Sequence, residues 1–379
     1  MTAPIITSAQ HVHTAIGHAL PNAATTHQSA SATRLIDADV HAVVPSTEAL
    51  FPYLSAHWRD HVTNTLMKGV VENAYPRHAP TSARDGLEVL GGPQAGSRLD
   101  ALQRDVLDHD DVEFAIICCT YQVDSLHNPD AAVAFAQAAN DWLATEWLAR
   151  DPRLRAGIVV PSHYPELAAR EIDRVGPHPG FVQANLPART TYPLGSRVNA
   201  PMWDAIARNK LVGAIHFGGA PGTPPTPSGW SSYYLEDYVG MAHVVQSQVV
   251  SLITEGTLDA HPDVKIAVLE AGFTWIGPFL WRFDKEWRNL RRLVPWVRRA
   301  PSEYLREHFR FTIQPLDAPA RDDHFSQAID QIGSESVLMY ASDYPHRHPT
   351  APRRLLDLVA PSHAARIRSG NARALYGLD

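Results

Sequence analysis

Beyond residue 33 the chain changes its hydrophobic period again and again, and this alternation limits the fold more than any other feature. Short apolar runs rich in β-branched residues fall at 34–40, 113–119, 154–160, 180–186, 211–217, 264–270, 308–314 and 336–342. Between most of them lie stretches with helical spacing: Asp130–Arg150, Pro165–Val175, Ala200–Asn209, Val239–Gly256, Thr274–Leu290 and Asp322–Ile332. A strand buried on both faces reads as an unbroken apolar run, and strands separated by helices pair in parallel. Eight such units predict an α/β chain closed into a (β/α)8 barrel. A doubly wound open sheet is the competing architecture, but no Gly-rich phosphate-binding turn follows the first run.

Two stretches break the alternation. Residues 45–105 follow strand 1 and contain Trp58, His61, Tyr75 and Pro76; residues 218–237 follow strand 5 and read GGAPGTPPTPSGWSSYYLED. Long loops inside compact domains usually serve function, and these two leave the C-terminal ends of strands, so they are expected to cap the barrel mouth and wall the substrate. Loops that merely cover strand ends would look the same. The first thirty-three residues hold no Lys, Arg, Asp or Glu. They lack the basic start and apolar stretch of a secretory signal and read as a flexible leader. The expected organisation is a leader over 1–33 and a single barrel domain over 34–379, with an insertion at about 45–105.

Composition excludes several classes. A net charge of −7 and 19% charged residues offer no basic stripe for nucleic acid. No apolar run approaches the roughly 18 residues that span a bilayer. The only cysteines, Cys118 and Cys119, are adjacent in a strand, where neighbours point to opposite faces, so no bridge forms and a cytoplasmic location is expected.

Charged and imidazole side chains close the apolar runs: Asp39 and His41 in LIDADVH, His216 in LVGAIH, Glu270 in VKIAVLE and Asp343 in SVLMYASD. Burying such groups is costly unless a partner or a metal takes up their charge. Asp39 and His41 are two apart on a strand and face one side. A random Asp-x-His is common, and a satisfied core aspartate would give the same pair. His216 and Asp343 on later strands turn the pair into a candidate metal set with an open position for water or substrate.

The segments LIDADVH, AIHFGG, LEAGFTW and YASDYPH, in that order, resemble the amidohydrolase-related family, in the aminocarboxymuconate-semialdehyde decarboxylase-like branch of the amidohydrolase superfamily. AANDWLATEWLARDPRLRAGIVVP, SLITEGTLDAHPDVKIAV and the ending SGNARALYGL extend the likeness from about residue 34 to the C-terminus. The resemblance implies a TIM-barrel-like metal-dependent hydrolase fold and one divalent ion, Zn²⁺ or Mn²⁺. Carried over by motif, its ligands are Asp39, His41, His216 and Asp343. The acidic first member favours a harder ion such as Mn²⁺. It also implies a homodimer. At the end of strand 6, where decarboxylating relatives commonly carry a histidine, this chain has Glu270. That glutamate is expected to serve as a metal ligand, as a base for bound water or as a partner of a cation such as Arg282.

The catalytic set expected from this reading is Asp343, Glu270 and His346, with His348 solvated. Asn185, Gln314, Trp275 and Arg282 are the candidate substrate-binding residues; Asn185 and Gln314 would equally satisfy loop backbone, and Trp275 would equally pack. Hydrolysis of an amide, ester or lactone of a small molecule by metal-activated water, with Asp343 shuttling the proton, stands first because Glu270 replaces the imidazole. The alternative is non-oxidative decarboxylation of a small aromatic or unsaturated acid, with Arg77, Arg282, Arg288 and Arg347 as candidate cations at the mouth. A non-catalytic binding protein would predict an incomplete ligand set, and a two-carboxylate glycosidase would not require His41 and His216. His11 and His13 lie in the uncharged leader and read as incidental. The arginine-rich stretch 288–300 with Trp287 and Trp296 reads as an oligomer contact or amphipathic cap rather than a nucleic-acid surface, given the acidic total.

Overall fold

The computed structural model describes residues 34–65, 67, 70, 94–219 and 223–378. The expectations for the leader, His11, His13, Tyr75, Pro76 and Arg77 fall outside these residues. Eight strands pair in parallel in sequential order: β1 (Leu35–His41), β2 (Val112–Cys118), β3 (Leu154–Val159), β4 (Phe181–Arg189), β5 (Val212–Gly219), β6 (Ile266–Val268), β7 (Phe309–Thr312) and β8 (Leu338–Met339). Every expected run overlaps one of them, with β1, β2, β4 and β5 extending one to three residues beyond it. The last strand returns to the first through backbone hydrogen bonds from Ala38 N to Tyr340 O at 2.9 Å, His41 N to Tyr344 O at 2.7 Å and Asp343 N to Asp39 O at 3.1 Å. This is the (β/α)8 barrel that the alternation predicts.

The helices fall close to their expected positions, with Pro129–Leu143, Pro165–Val175, Ala200–Arg208, Tyr234–Thr254, Ile276–Leu290 and Asp322–Asp330 as the main outer elements. Asn128 starts the first by accepting from Asp130 N and Ala131 N, with Pro129 in the first turn, where a missing N–H costs nothing. Residues 144–150, expected as its continuation, widen into a π-helical turn over Ala144–Leu148. No helix among the described residues is long and apolar enough to cross a membrane.

An apolar cluster joins Ile36 and Ala38, Ile116 and Cys118, Val212 and Ala214, Ala267 and Leu269, and Met339. Residues of β1 meet those of β5 and β6 only across the barrel interior, so this set is its inner face, with Leu375 and Tyr376 of the C-terminal segment against it. The larger cluster lies between the strands and the helices. Both cysteines are buried, and neither is in a disulfide.

The described part of the 45–105 insertion leans on the helix after β2: Tyr53 donates to Glu146 at 3.1 Å, and the Trp58 ring lies 6.4 Å from that of Phe135. The loop after β5 is tied at its feet by Arg189, which donates to Pro225 O at 3.1 Å and pairs with Asp237. In the arginine-rich stretch both tryptophans have structural duties. Trp287 donates to Val297 O at 3.2 Å and Trp296 to Thr254 O at 2.7 Å.

Candidate metal centre

Strand ends bring Asp39, His41, His216, Glu270 and Asp343 to one buried spot, and two departures from regular strand geometry put them there. Ala38 belongs to the inner apolar set, so strict alternation would turn Asp39 outward; the β1–β2 register is irregular between Asp37 and Val40, which is where the alternation changes phase. Val268 packs in the outer cluster and Glu270 would follow it, but Glu270 has φ 53° and swings inward. Asp343 adopts the same left-handed conformation, also with φ 53°. Non-glycine residues rarely do so, and such strain concentrates at functional sites. Asp37 braces the region, with Oδ1 accepting from Ser342 N at 2.9 Å and Asp39 N at 3.3 Å.

Asp39, His41, His216 and Glu270 offer donor atoms that all lie within 4.8 Å of one another; His41, Glu270, Asp343 and His346 form a second, overlapping set. Asp343, expected as the fourth member of the first set, sits in the second, and Glu270 completes the first. His41 Nε2 lies 2.9 Å from Asp343 Oδ1, 3.3 Å from Glu270 Oε1 and 3.8 Å from Asp39 Oδ1. His216 Nε2 is 3.9 Å from Asp39 Oδ2 and 3.8 Å from Glu270 Oε1. Its Nδ1 donates to Phe217 O at 2.6 Å, which leaves Nε2 with its lone pair free for a metal. Both Asp39 oxygens and His216 Nε2 are buried with no hydrogen-bond partner. Orphaned acceptors converging at such spacing fit a cation bound at about 2.0–2.2 Å, the range of imidazole and carboxylate ligation.

The protonation pattern agrees. Burial, with help from Asp343, Glu270 and Asp37, pushes the Asp39 carboxyl well above its ordinary value. Burial opposes the charge on His41, but its contacts with Asp343 and Glu270 hold it well above 6.5. Burial likewise opposes the ionised forms of Glu270 and Asp343, yet the surrounding imidazoles hold both down, Asp343 strongly. His216 is lowered by burial. His346 is desolvated too, but Asp343 and Glu270 raise it to about 9.

His348, expected in solvent, has a side chain only 7% exposed, and its Nε2 lies 2.5 Å from Asp343 Oδ2. The spacing H-R-H just after the strand 8 aspartate was the available signal; without a regular period in this loop, the facing of its second histidine was not readable. His346 Nδ1 lies 2.8 Å from Asp343 Oδ1 and 3.2 Å from Glu270 Oε1.

The candidate substrate residues divide. Asn185 lines a recess beside His216 and Phe217, together with Tyr121 and Val123. Its Oδ1 accepts from Gln183 at 3.1 Å and its Nδ2 donates to Cys119 O at 3.4 Å. Gln314 is buried and donates to Thr350 O at 3.2 Å, the loop-satisfying alternative. Trp275 packs, donating to Ala271 O at 3.0 Å with its ring against Phe279 and Phe311. Arg282 is exposed on an outer cleft of about 1120 Å³ with Phe279, Phe283 and Glu286. No member of the metal cluster lines that cleft, so Arg282 is not the partner of Glu270. Arg288 and Arg347 are exposed as well.

Comparison with known proteins adds three findings. The profile of the family described as Amidohydrolase matches residues 36–378. The chain is 26% identical over 316 residues to a gamma-resorcylate decarboxylase of Rhodococcus jostii (strain RHA1), covering 75% of this chain and 92% of that one. A gamma-resorcylate decarboxylase of Rhizobium radiobacter is 25% identical over 275 residues, 68% of this chain and 80% of its own length. Among solved structures, 5-carboxyvanillate decarboxylase from Sphingomonas paucimobilis superposes with a TM-score of 0.66 at 22% identity, covering 91% of this chain and 99% of that one. A dihydroxybenzoic acid decarboxylase from Polaromonas sp. JS666, solved with bound manganese and 2-nitroresorcinol, gives 0.63 at 19% identity, with 91% and 97% covered.

Proposed function

The chain belongs to the amidohydrolase family, and from that premise we propose that it is a metal-dependent enzyme that removes carbon dioxide, without oxidation, from a small aromatic carboxylic acid. The observation that carries this reading is the buried convergence of Asp39, His41, His216 and Glu270 with orphaned acceptors among them, in a chain whose curated relatives are gamma-resorcylate decarboxylases. These four residues would hold a divalent ion, Mn²⁺ or Zn²⁺. When bound, it supplies a Lewis acid that polarises substrate oxygens. The sequence alone favours hydrolysis, because strand 6 ends in Glu270 rather than an imidazole. His346 and His348, both on Asp343, supply imidazoles from the loop after β8 instead and turn the balance toward decarboxylation.

The chain's own residues then divide the work. Asn185 and the apolar side chains around it hold the ring in the recess beside His216. His346, held against Asp343, would deliver a proton to the ring carbon as its bond to the carboxyl carbon breaks and carbon dioxide leaves with no net electron transfer. The proton is regained from solvent. Hydrolysis of an amide, ester or lactone is the second reading, favoured by Glu270 standing beside the ion's place as a base for water. The deciding experiment loads the purified protein with Mn²⁺ and follows carbon dioxide release from a panel of hydroxybenzoates. Turnover abolished by His216→Ala is expected; turnover of amides, esters or lactones alone would overturn the reading.

A homodimer also belongs to this proposal. Trp230 and Val239, 71% and 63% exposed, share the outer cleft with Phe279 and Phe283, and Trp281 is 58% exposed nearby in sequence. An apolar surface of this kind is suited to a second copy of the chain.

A further inference from the structure

The C-terminal helix, Asn371–Tyr376, is fastened beneath the N-terminal ends of the strands, at the opposite end of the barrel from the metal cluster. Asn371 donates to Glu335 O and Leu338 O at 2.8 Å, and Arg373 donates to Leu378 O at 2.8 Å and pairs with Glu113 at 2.7 Å. Held in this way, Tyr376 packs against the apolar inner face of the barrel. Its hydroxyl donates to Gln183 Oε1 at 2.7 Å. From there the bonds climb β4: Gln183 Nε2 donates to Asn185 Oδ1 at 3.1 Å, and Asn185 Nδ2 donates to Cys119 O at 3.4 Å. A line of polar groups thus runs through the apolar interior from the C-terminal helix to the recess beside His216.

The line has a direction. An amide side chain is nearly symmetric in shape, and its partners decide which end is the donor. Cys119 O can only accept, so it takes the amino end of Asn185. That turns Asn185 Oδ1 to Gln183, which offers its own amino end in return. Gln183 Oε1 is left facing Tyr376, whose hydroxyl can donate. Burial, with Asp39 and Cys118 adding to it, pushes this phenol well above its ordinary value, so the proton it donates stays in place. A buried amide oxygen with no donor is costly, which ties Gln183 to the one orientation that the phenol satisfies. Asn185 Nδ2 carries two hydrogens and spends one on Cys119 O. The other has no acceptor among the described residues, and the side chain lines the recess.

We propose that Tyr376 is a positioning residue: acting through Gln183, it locks the Asn185 amide so that the uncommitted N–H donates to an oxygen of the substrate. The proposal rests on the reading above, in which the aromatic acid occupies that recess. Tyr376 reaches the substrate only through two amides, from a helix that takes no part in the metal cluster.

The test compares four full-length proteins loaded with Mn²⁺ and checked for metal content: wild type, Tyr376→Phe, Asn185→Ala and the double variant. Each is assayed on the hydroxybenzoate that the wild type decarboxylates fastest. Tyr376→Phe removes the last donor and frees both amides to turn. It should raise KM about tenfold, the worth of one hydrogen bond to an anionic substrate, with kcat within about twofold. In the Asn185→Ala background the same change should leave KM unaltered. An equal rise in both backgrounds, the mark of a merely structural tyrosine, would overturn the proposal, as would an unchanged KM or a fall in kcat alone. Should Tyr376→Phe not fold, Gln183→Met cuts the line at its middle link and is held to the same outcomes. No turnover of any hydroxybenzoate by the wild type would overturn the reading above, and the lock is then decided by ¹⁵N NMR. Tyr376→Phe should shift the side-chain amide signal of Asn185, identified by its loss in Asn185→Ala; an unshifted signal would overturn the lock.

Discussion

Gly157 on β3 backs directly onto Asn185 on β4, and this contact yields a prediction that needs no knowledge of the substrate. A Cβ added at Gly157 would lie 1.9 Å from Asn185 Oδ1, 2.5 Å from Cγ and 2.7 Å from Nδ2. Ordinary contact begins near 3.4 Å, so the amide would have to retreat by roughly 1.5 Å. It would then lose its bonds with Gln183 and Cys119 O. Overpacking costs about 1–3 kcal/mol and each of the two hydrogen bonds about 1 kcal/mol, so Gly157→Ala should destabilise by about 3–5 kcal/mol. In an Asn185→Ala background the obstacle is gone. The same change should then be neutral, or stabilising by about 0.5 kcal/mol through reduced backbone freedom in the unfolded chain. Urea unfolding of the four proteins measures the cycle, with an expected coupling of about 3–5 kcal/mol. An equal penalty for Gly157→Ala in both backgrounds would refute the argument. If Asn185 holds the substrate ring, Gly157→Ala should also lower kcat/KM by about tenfold or more while metal content stays unchanged.

Three further outcomes follow from the same geometry. Asp151 accepts from Arg153 N and Nε at 3.0 Å and from Gln103 at 2.9 Å, and despite its burial these donors lower its carboxyl to about 2. A carboxyl depressed in the folded state stabilises above its unfolded value and loses that contribution as pH falls toward the folded one. Asp151→Asn should therefore cost about 1–2 kcal/mol at pH 7, after discounting for the partly exposed Arg153, and clearly less near pH 2.5 in urea unfolding. Mn²⁺ at about a hundred times its dissociation constant should add about 2.7 kcal/mol and raise the Tm of chelator-treated protein by about 4 °C in a thermal melt; an unchanged Tm would count against a bound ion. Light scattering should report a dimer at micromolar concentration, and Trp230→Asp with Val239→Asp should yield a monomer that keeps its metal.

The barrel was legible because each strand lies in a short, mainly apolar run bounded by polar turns, as VEFAIIC shows. The ends of those runs named the donors as well, since few chains close strand after strand with acids and imidazoles. What escaped was the phase. Glu270 and Asp39 reach the cluster through a left-handed residue and a register break, neither of which has a pattern in the letters. That is why Glu270, rather than Asp343, closes the set around His216. Similarly, His348 follows a turn without period, so its inward course depends on backbone torsions. Trp275 and Gln314 show the opposite failure: their positions at strand ends were right, but competing backbone acceptors claimed them.

Since the main chain at φ 53° sets the direction in which the Glu270 and Asp343 side chains leave the backbone, the gap between their carboxylates is tied to the positions of two strand ends. A fixed gap discriminates by ionic radius. Ions with bonds near 2.1 Å suit it, whereas Ca²⁺, which prefers 2.3–2.6 Å and more oxygen ligands, would have to pry two strand ends apart to enter.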